Sequence, residues 1–375
     1  MPSLLPNVDP DGLLEYSVVY TDRAVNHMSR LFQGAMNDIS SILKEAYDAS
    51  AVAVVPGSGT FAMEAVARQF ATGKRCLVIR NGWFSYRWTQ IFEAGGIPAE
   101  ALVLKARRTV DEHQAPFAPV PVDEVVATIK EWRPDVVFAP HVETASGMLL
   151  PDDYIRSVAA AVHENGGLFV LDCIASGALW VDMKACGVDV LVSAPQKGWS
   201  GSPCCGLVML GDAALARLAE TSSTSFACDL KKWLEIMQAY ENGGHAYHAT
   251  MPTDSLIRMR DVMEETRDYG YDAVRAEQVE LGARVRALLA ERGVKSVAAP
   301  GFEAPSVVVV YTDDDGLRSG AKFVAQGLQT AAGVPLQCDE PAEFATFRLG
   351  LFGLDKLHDV DRTVSFLEEA LDKVL

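Results

Sequence analysis

The sequence predicts an α/β protein, with a large domain built on a mainly parallel sheet and a smaller α+β domain after it. Three observations lead there. Short β-branched runs alternate with stretches of helical period through the first two-thirds of the chain, the pattern of parallel strands joined by crossover helices. Near residue 251 this changes, and two long helical stretches follow one another directly. A chain of 375 residues also exceeds what one small core needs, which favours a large domain plus a small one. We therefore expect an N-terminal arm over 1–20, a large domain over 21–255 and a small one over 256–375.

The elements follow in order. The first twenty residues carry prolines and no clear period, and read as an arm. RAVNHMSRLFQGAMNDISSILKEAY (23–47) places apolar residues at helical spacing. AVAVV (51–55) leads to a helix over 60–70, and CLVIR (76–80) to one over 84–94. VVFAP (136–140) precedes a helix near 152–164, and GLFVLD (167–172), VLVSA (190–194) and GLVML (206–210) complete the first set of strands. Beyond residue 251 we expect helices over 253–269 and 271–292, a strand SVVVVY (306–311), a helix over 317–330 and a last helix over 358–373.

Composition narrows the function classes. Hydrophobic residues make up 49% and charged residues 22%, which suits a globular chain and not a disordered one. A net charge of −17 without a basic patch argues against nucleic acid or an anionic membrane as partner. Seven scattered cysteines show no metal-ligand spacing and no disulfide framework; the neighbours Cys204 and Cys205 read as small buried strand residues. MPSLLPNVDPDG lacks the basic and apolar regions of a signal peptide, and no apolar run is long enough to span a bilayer. The expectation is a soluble cytoplasmic protein.

VVPGSGTFAME (54–64) is a glycine-rich turn between a strand and a helix. Unpaired amides and the helix dipole make such a turn a place for an anion. A P-loop is excluded because Thr60 is followed by Phe61, with no Gly-Lys-Ser/Thr ending. A dinucleotide fingerprint is met loosely by Gly57, Gly59 and Ala62, with Arg80 as a cation for an NADP ribose phosphate. The third reading is a single phosphate held by Ser58, Gly59 and Thr60. It requires companions: a phosphate-anchored pyridoxal needs an acid for its ring nitrogen and a lysine for its aldehyde. Asp172 ends the strand GLFVLD, and Lys197 follows the strand VLVSA in the loop APQKGWSGSP. Either residue alone would read as a turn cap or an exposed loop lysine; all three features together favour pyridoxal 5'-phosphate.

These residues sit in stretches that resemble the class V aminotransferases of pyridoxal-phosphate fold type I, in particular the alanine/serine–glyoxylate branch. The stretches are PGSGTFAMEA, RNGWFSYRW, HVETASGML, LDCIAS, SAPQKGW, YHATMP and FRLGLFG, in that order from about residue 50 onward. The resemblance implies a seven-stranded-type sheet in the large domain and a role for each matching residue. Ser58, Gly59, Thr60 and Gln196 would hold the phosphate. Phe84 would stack on the ring, with Trp83 as the alternative, and Thr144 would approach the phenolic oxygen. Asp172 would pair with the ring nitrogen, and Lys197 would bond the aldehyde and move the α-proton. Tyr247 and Thr250 would reach the phosphate in the neighbouring subunit, implying a homodimer with shared sites. Arg348 would clamp the substrate carboxylate. Arg87 reads as structural, and His141 and Glu143 as structural or at the cofactor's edge. Where the family opens with a GPT- or GPG-type stretch, this chain has LLPNVDPDGLLEYSVVYTDR (4–23), which leaves the substrate wall undetermined.

The resulting expectation is a transaminase moving an amino group from an alanine- or serine-type amino acid to a 2-oxo acid such as glyoxylate or pyruvate. HVETASGMLLP also resembles the 2-aminoethylphosphonate–pyruvate transaminases, and a pyridoxal-phosphate lyase is a third possibility on this fold. Cysteine desulfurases resemble the family too, but carry histidines where this chain has Gln196 and Phe84. An NADP-dependent oxidoreductase is the alternative from another class; it leaves Asp172, Lys197 and YHATMP without a role.

Overall fold

The computed structural model describes residues 9–375, so the first eight residues of the expected arm lie outside the described residues. Seven strands form the main sheet: β1 Ala51–Pro56, β2 Arg75–Arg80, β3 Glu100–Lys105, β4 Val136–Pro140, β5 Leu168–Asp172, β6 Val190–Ser193 and β7 Cys205–Leu210. Their spatial order is β1-β7-β6-β5-β4-β2-β3. β7 runs antiparallel to both of its neighbours, β1 and β6, while every other pair is parallel. Helices cover the sheet, so the inner strands are buried on both faces. Continuous apolar runs such as VVFAP and LFVLD are what that burial demands.

This order brings sequence-distant loops together. β1 and β7 pair Pro56 with Cys205, and β5 and β6 pair Asp172 with Val192. The turn after β1, the loop after β5 and the loop between β6 and β7 thus open on one edge of the sheet, where open α/β sheets bind ligands.

A second sheet, antiparallel and ordered β8-β10-β9, contains β8 Val307–Tyr311, β9 Ala331–Ala332 and β10 Thr346–Gly350. Its apolar face is covered by the helices Tyr271–Glu291 and Val360–Val374, through Leu281, Val285, Leu367 and Leu371. The helix Thr253–Tyr269 instead packs Leu256, Met259 and Met263 into the core of the large sheet.

Several expectations need correction. The first helix spans Arg30–Tyr47 rather than starting at residue 23, because Ser29 caps it by accepting the Phe32 N–H at 3.2 Å. The helix expected over 317–330 is two short turns, Asp315–Arg318 and Ala321–Val324. Gly320, with φ +79 in the left-handed region, separates them. β3 and the helices Val122–Trp132, Asp212–Glu220 and Leu230–Glu241 were not anticipated. β3 is a half-exposed edge, so its apolar signal is diluted. Cys205 opens β7 with Cys204 just before it, and all seven cysteines are buried and unbridged.

One contact sets how closely the helix Gly59–Phe70 lies on β7. A Cβ on Gly206 would stand 2.3 Å from Ala62 Cβ and 2.7 Å from the Ser58 carbonyl oxygen. Gly206→Ala is therefore expected to lower unfolding free energy by about 1–3 kcal/mol, as a downward shift of the urea midpoint. An unchanged midpoint would mean that the helix can move away freely.

Candidate active site

The glycine turn is pinned before it bends into its helix. Gly57 N–H donates to the Cys204 carbonyl at 3.0 Å, tying the turn to the chain entering β7. Gly59 then lies so close to the next two loops that a Cβ there would meet Ile174 Cδ1 at 2.6 Å and Ala194 Cβ at 3.2 Å. Ser58 makes no side-chain cap bond, which leaves its hydroxyl and the first helical amides free for another acceptor.

Asp172 ends β5 on the same edge and is buried. The one hydrogen bond described for its carboxyl comes from Ile174 N–H at 2.9 Å. Burial pushes its pKa up to about 7, assisted by Glu143, while Ile174 N–H and Arg87 pull the other way. The Lys197 ammonium is pushed below its ordinary value, first by burial and then by the charge of Arg348. An acid with no cation in contact thus shares a cavity with a half-buried amine that gives up its proton more readily than a free lysine. Gln196 presents a buried amide oxygen with no partner among the described residues. Behind Asp172, His141 N–H donates to its carbonyl at 2.8 Å, and His141 Nδ1 bonds Ser176 Oγ at 2.7 Å. Burial lowers the His141 pKa to about 3, so this ring is neutral.

Glu143 organises the opposite wall. Fully buried, its carboxylate accepts from Ser85 N–H (2.8 Å), Ser85 Oγ (2.7 Å), Ala145 N–H (3.0 Å) and Phe84 N–H (3.2 Å). Four donors compensate a buried charge. They lock the start of the helix Trp83–Gly95 to the turn holding Thr144. Phe84 is thereby directed to the cavity, while Trp83 packs against Tyr86 and is not among its lining residues.

The cavity encloses about 180 Å³. Of the residues singled out in the sequence, Ser58, Gly59, Thr60, Phe84, Thr144, Asp172, Gln196 and Lys197 all line it. Arg348 stands at its rim: Nη1 donates to the Thr144 carbonyl at 3.5 Å, and its guanidinium carbon lies 5.7 Å from the Phe84 ring centre. Tyr247 and Thr250 are not brought there; they are exposed and bonded to each other at 3.1 Å. Arg87, read as structural from the sequence, lines the cavity, and so do Met63, Val142, Ile174 and Ala175. Arg80 is buried and engaged with Thr89 Oγ1 (2.8 Å) and the Gln337 carbonyl (3.2 Å), so it is not free for a ribose phosphate. A larger groove of about 810 Å³ elsewhere has Arg156, Arg275 and Arg286 balanced by Asp152, Asp153 and Glu303, and no lysine in its wall.

The chain matches the family described as Aminotransferase class-V over residues 12–342. It belongs to the class-V aminotransferases. This class-V aminotransferase is 27% identical over 94% of its length to a protein named 2-aminoethylphosphonate–pyruvate transaminase 2 from Paraburkholderia xenovorans (strain LB400), covering 90% of that protein. It is 25% identical over 93% of its length to the alanine–glyoxylate aminotransferase of Rattus norvegicus, covering 82% of that chain. Its fold superposes with a TM-score of 0.76 on an alanine–glyoxylate aminotransferase from Nostoc sp., at 21% identity and covering 92% of this chain and 89% of that one. The aspartate aminotransferase of subgroup IV from Thermus thermophilus gives 0.74 at 24% identity, covering 93% of both chains. The expected fold class and transaminase activity are borne out, and the oxidoreductase reading is set aside.

Asp172 makes the cofactor-free aminotransferase sensitive to pH. A carboxyl whose folded-state pKa of about 7 lies above its ordinary value of 3.8 is bound more tightly to its proton in the folded state. Its contribution therefore destabilises the fold progressively as pH rises from about 4 to about 7, and levels off above. Asp172→Asn removes this contribution. The variant is expected to gain roughly 2–4 kcal/mol over the wild type at pH 8 and little near pH 4, read from urea melts across pH. An advantage independent of pH would contradict the assignment.

Proposed function

We propose that this chain is a pyridoxal-phosphate-dependent transaminase of small substrates. It would move an amino group from an alanine- or serine-type amino acid to a 2-oxo acid such as glyoxylate or pyruvate. The observation that carries this reading is the convergence of a free-amide glycine turn, an unpaired buried acid and a half-buried lysine on one cavity. The donor set suits the cofactor: a Ser58 hydroxyl free of any capping bond beside the first helical amides, and a buried Asp172 whose carboxyl has one donor, the Ile174 N–H.

When bound, the cofactor supplies an electron-accepting pyridinium ring and an aldehyde that exchanges amino groups. Ser58, Thr60 and the amides of Gly59 and Thr60 would hold the phosphate, with Gln196 as a further donor. The Asp172 carboxylate would hold the ring nitrogen protonated, and that cation would restore the charged form of the acid that burial alone disfavours. Phe84 would supply the stacking face for the ring, and Thr144 would serve its phenolic oxygen. Lys197 Nζ would hold the cofactor's aldehyde end and would serve as the base for the proton on the substrate's α-carbon. Its lowered pKa suits both tasks, since each requires a neutral amine. Arg348 offers its planar fork to the substrate's anionic group.

A homodimer belongs to the same proposal, with Tyr247 and Thr250 reaching the phosphate in the neighbouring subunit. The apolar exposure of Phe226 and Tyr247, and of Leu13, Leu14 and Val18 in the arm, supports a surface covered by a second copy. Residues 256–375 would form the smaller domain. No helix among the described residues is long and apolar enough to cross a membrane, in keeping with a cytoplasmic location. The relative from Paraburkholderia xenovorans favours a second donor, 2-aminoethylphosphonate, because Arg348 would serve a phosphonate as well as a carboxylate.

The test is a screen of the reconstituted protein with alanine, serine and 2-aminoethylphosphonate, each against glyoxylate and pyruvate. Keto-acid formation from alanine or serine is expected. Turnover of the phosphonate alone would transfer the assignment to that donor, and cofactor binding without any transfer would point to lyase chemistry. Lys197→Ala should lose the near-visible absorbance that borohydride traps in the wild type, and at least about a thousandfold of turnover. Mixing inactive Lys197→Ala with inactive Tyr247→Ala subunits should restore partial activity if sites are shared; no recovery on subunit exchange would contradict sharing.

A further inference from the structure

We infer that Arg87 is a cofactor-positioning residue, whose guanidinium orients the Thr60 hydroxyl toward the cofactor phosphate and adds a fixed positive charge to that end of the cavity. The inference rests on the pyridoxal-phosphate reading above. It goes beyond it by assigning a role to a residue that the motifs leave as part of the scaffold.

Arg87 stands three residues after Phe84 on the helix Trp83–Gly95, so both side chains leave the same face of that helix. Both line the cavity. Arg87 Nη1 lies 3.0 Å from Thr60 Oγ1. A guanidinium has donors only, so in this bond the hydroxyl oxygen accepts. The single hydroxyl proton is then left to donate elsewhere, and the neighbouring acceptor in the cradle would be a phosphate oxygen.

The charge matters as well. Among the described residues no carboxylate lies within 4.0 Å of Arg87, unlike Arg68 of the neighbouring helix, which pairs with Glu64 at 2.7 Å. Arg87 is half-buried, with its guanidinium carbon 5.2 Å from the centre of the Phe84 ring. A half-buried cation on a cavity wall with no carboxylate in contact is suited to an anionic ligand. Arg348 lies 5.7 Å from the centre of the same ring. The two arginines divide the work: Arg348 meets the substrate's anion and Arg87 the cofactor's.

A scaffold role would also keep Arg87 against Thr60, so the test must separate phosphate recognition from packing. Cofactor-free wild type, Arg87→Met, Arg87→Gln, Arg87→Lys, Thr60→Val and the double variant Arg87→Met/Thr60→Val are titrated with pyridoxal phosphate and with pyridoxal, which lacks the phosphate. Arg87→Met is expected to weaken pyridoxal phosphate about tenfold to a hundredfold and pyridoxal less than about twofold. Arg87→Lys should recover part of the loss, and the double variant should lose less than the two single losses multiplied. Inorganic phosphate should compete with pyridoxal phosphate for the wild type and much less for Arg87→Met. Equal losses for both ligands, no loss for either, or multiplicative losses in the double variant would overturn the assignment. Should Arg87→Met not fold, Arg87→Gln and Arg87→Lys carry the same comparison. A wild type that binds no pyridoxal phosphate would instead overturn the cofactor reading itself, which keeps the two failures distinguishable.

Discussion

Everything at the site depends on one reversed strand. β7 runs antiparallel between β1 and β6, so the chain leaves β6, makes the loop carrying Lys197, and returns beside the end of β1. Its entry point, the Cys204 carbonyl, holds Gly57 N–H at 3.0 Å. A parallel strand in that slot would need a crossover of a dozen residues or more, and the lysine loop would be elsewhere. The reversal lets a short loop face the glycine turn across the width of a single strand. Small residues then close the remaining distance: Gly59 against Ile174 and Ala194, and Gly206 against Ala62.

Two buried acids show how environment separates roles. Glu143 has four donors at 2.7–3.2 Å and spends its charge on holding a helix start and a turn. Asp172 has one, the Ile174 N–H, and burial lifts its pKa. An acid left short of partners in a closed cavity is a group waiting for a ligand, whereas an acid with every lone pair engaged is structural. The arginines differ by position rather than by lack of partners, since Arg348 Nε also donates to the Ala332 carbonyl at 2.8 Å. Arg80 is consumed by Thr89 and Gln337, whereas Arg87 and Arg348 border the cavity.

Much of this was legible in the chain. The inner strands announce themselves as uninterrupted apolar runs, and the glycine turn, Asp172 and Lys197 stand at strand ends where local pattern alone marks them. The exposed edge β3, the capped start of the first helix and the break at Gly320 were less visible, since each depends on partial exposure or a single cap. At the site, Phe84 could not be told from Trp83 in RNGWFSYRW: both are aromatic and adjacent. The choice between them follows from Glu143, whose bonds to Phe84 and Ser85 fix how the helix begins.

Arg87 illustrates the same limit. In the sequence it is one more cation on an amphipathic helix. Only when that helix is laid beside the glycine turn does its guanidinium meet Thr60. The sequence by itself determined the α/β class, the glycine turn, and the acid and lysine that any phosphate-anchored pyridine aldehyde requires, because each is a local pattern of residue types. The tertiary structure alone decided which aromatic ring, arginine and carboxylate share the cavity. Burial and hydrogen-bond partners come from chain segments far apart in sequence, and no spacing along the chain encodes them.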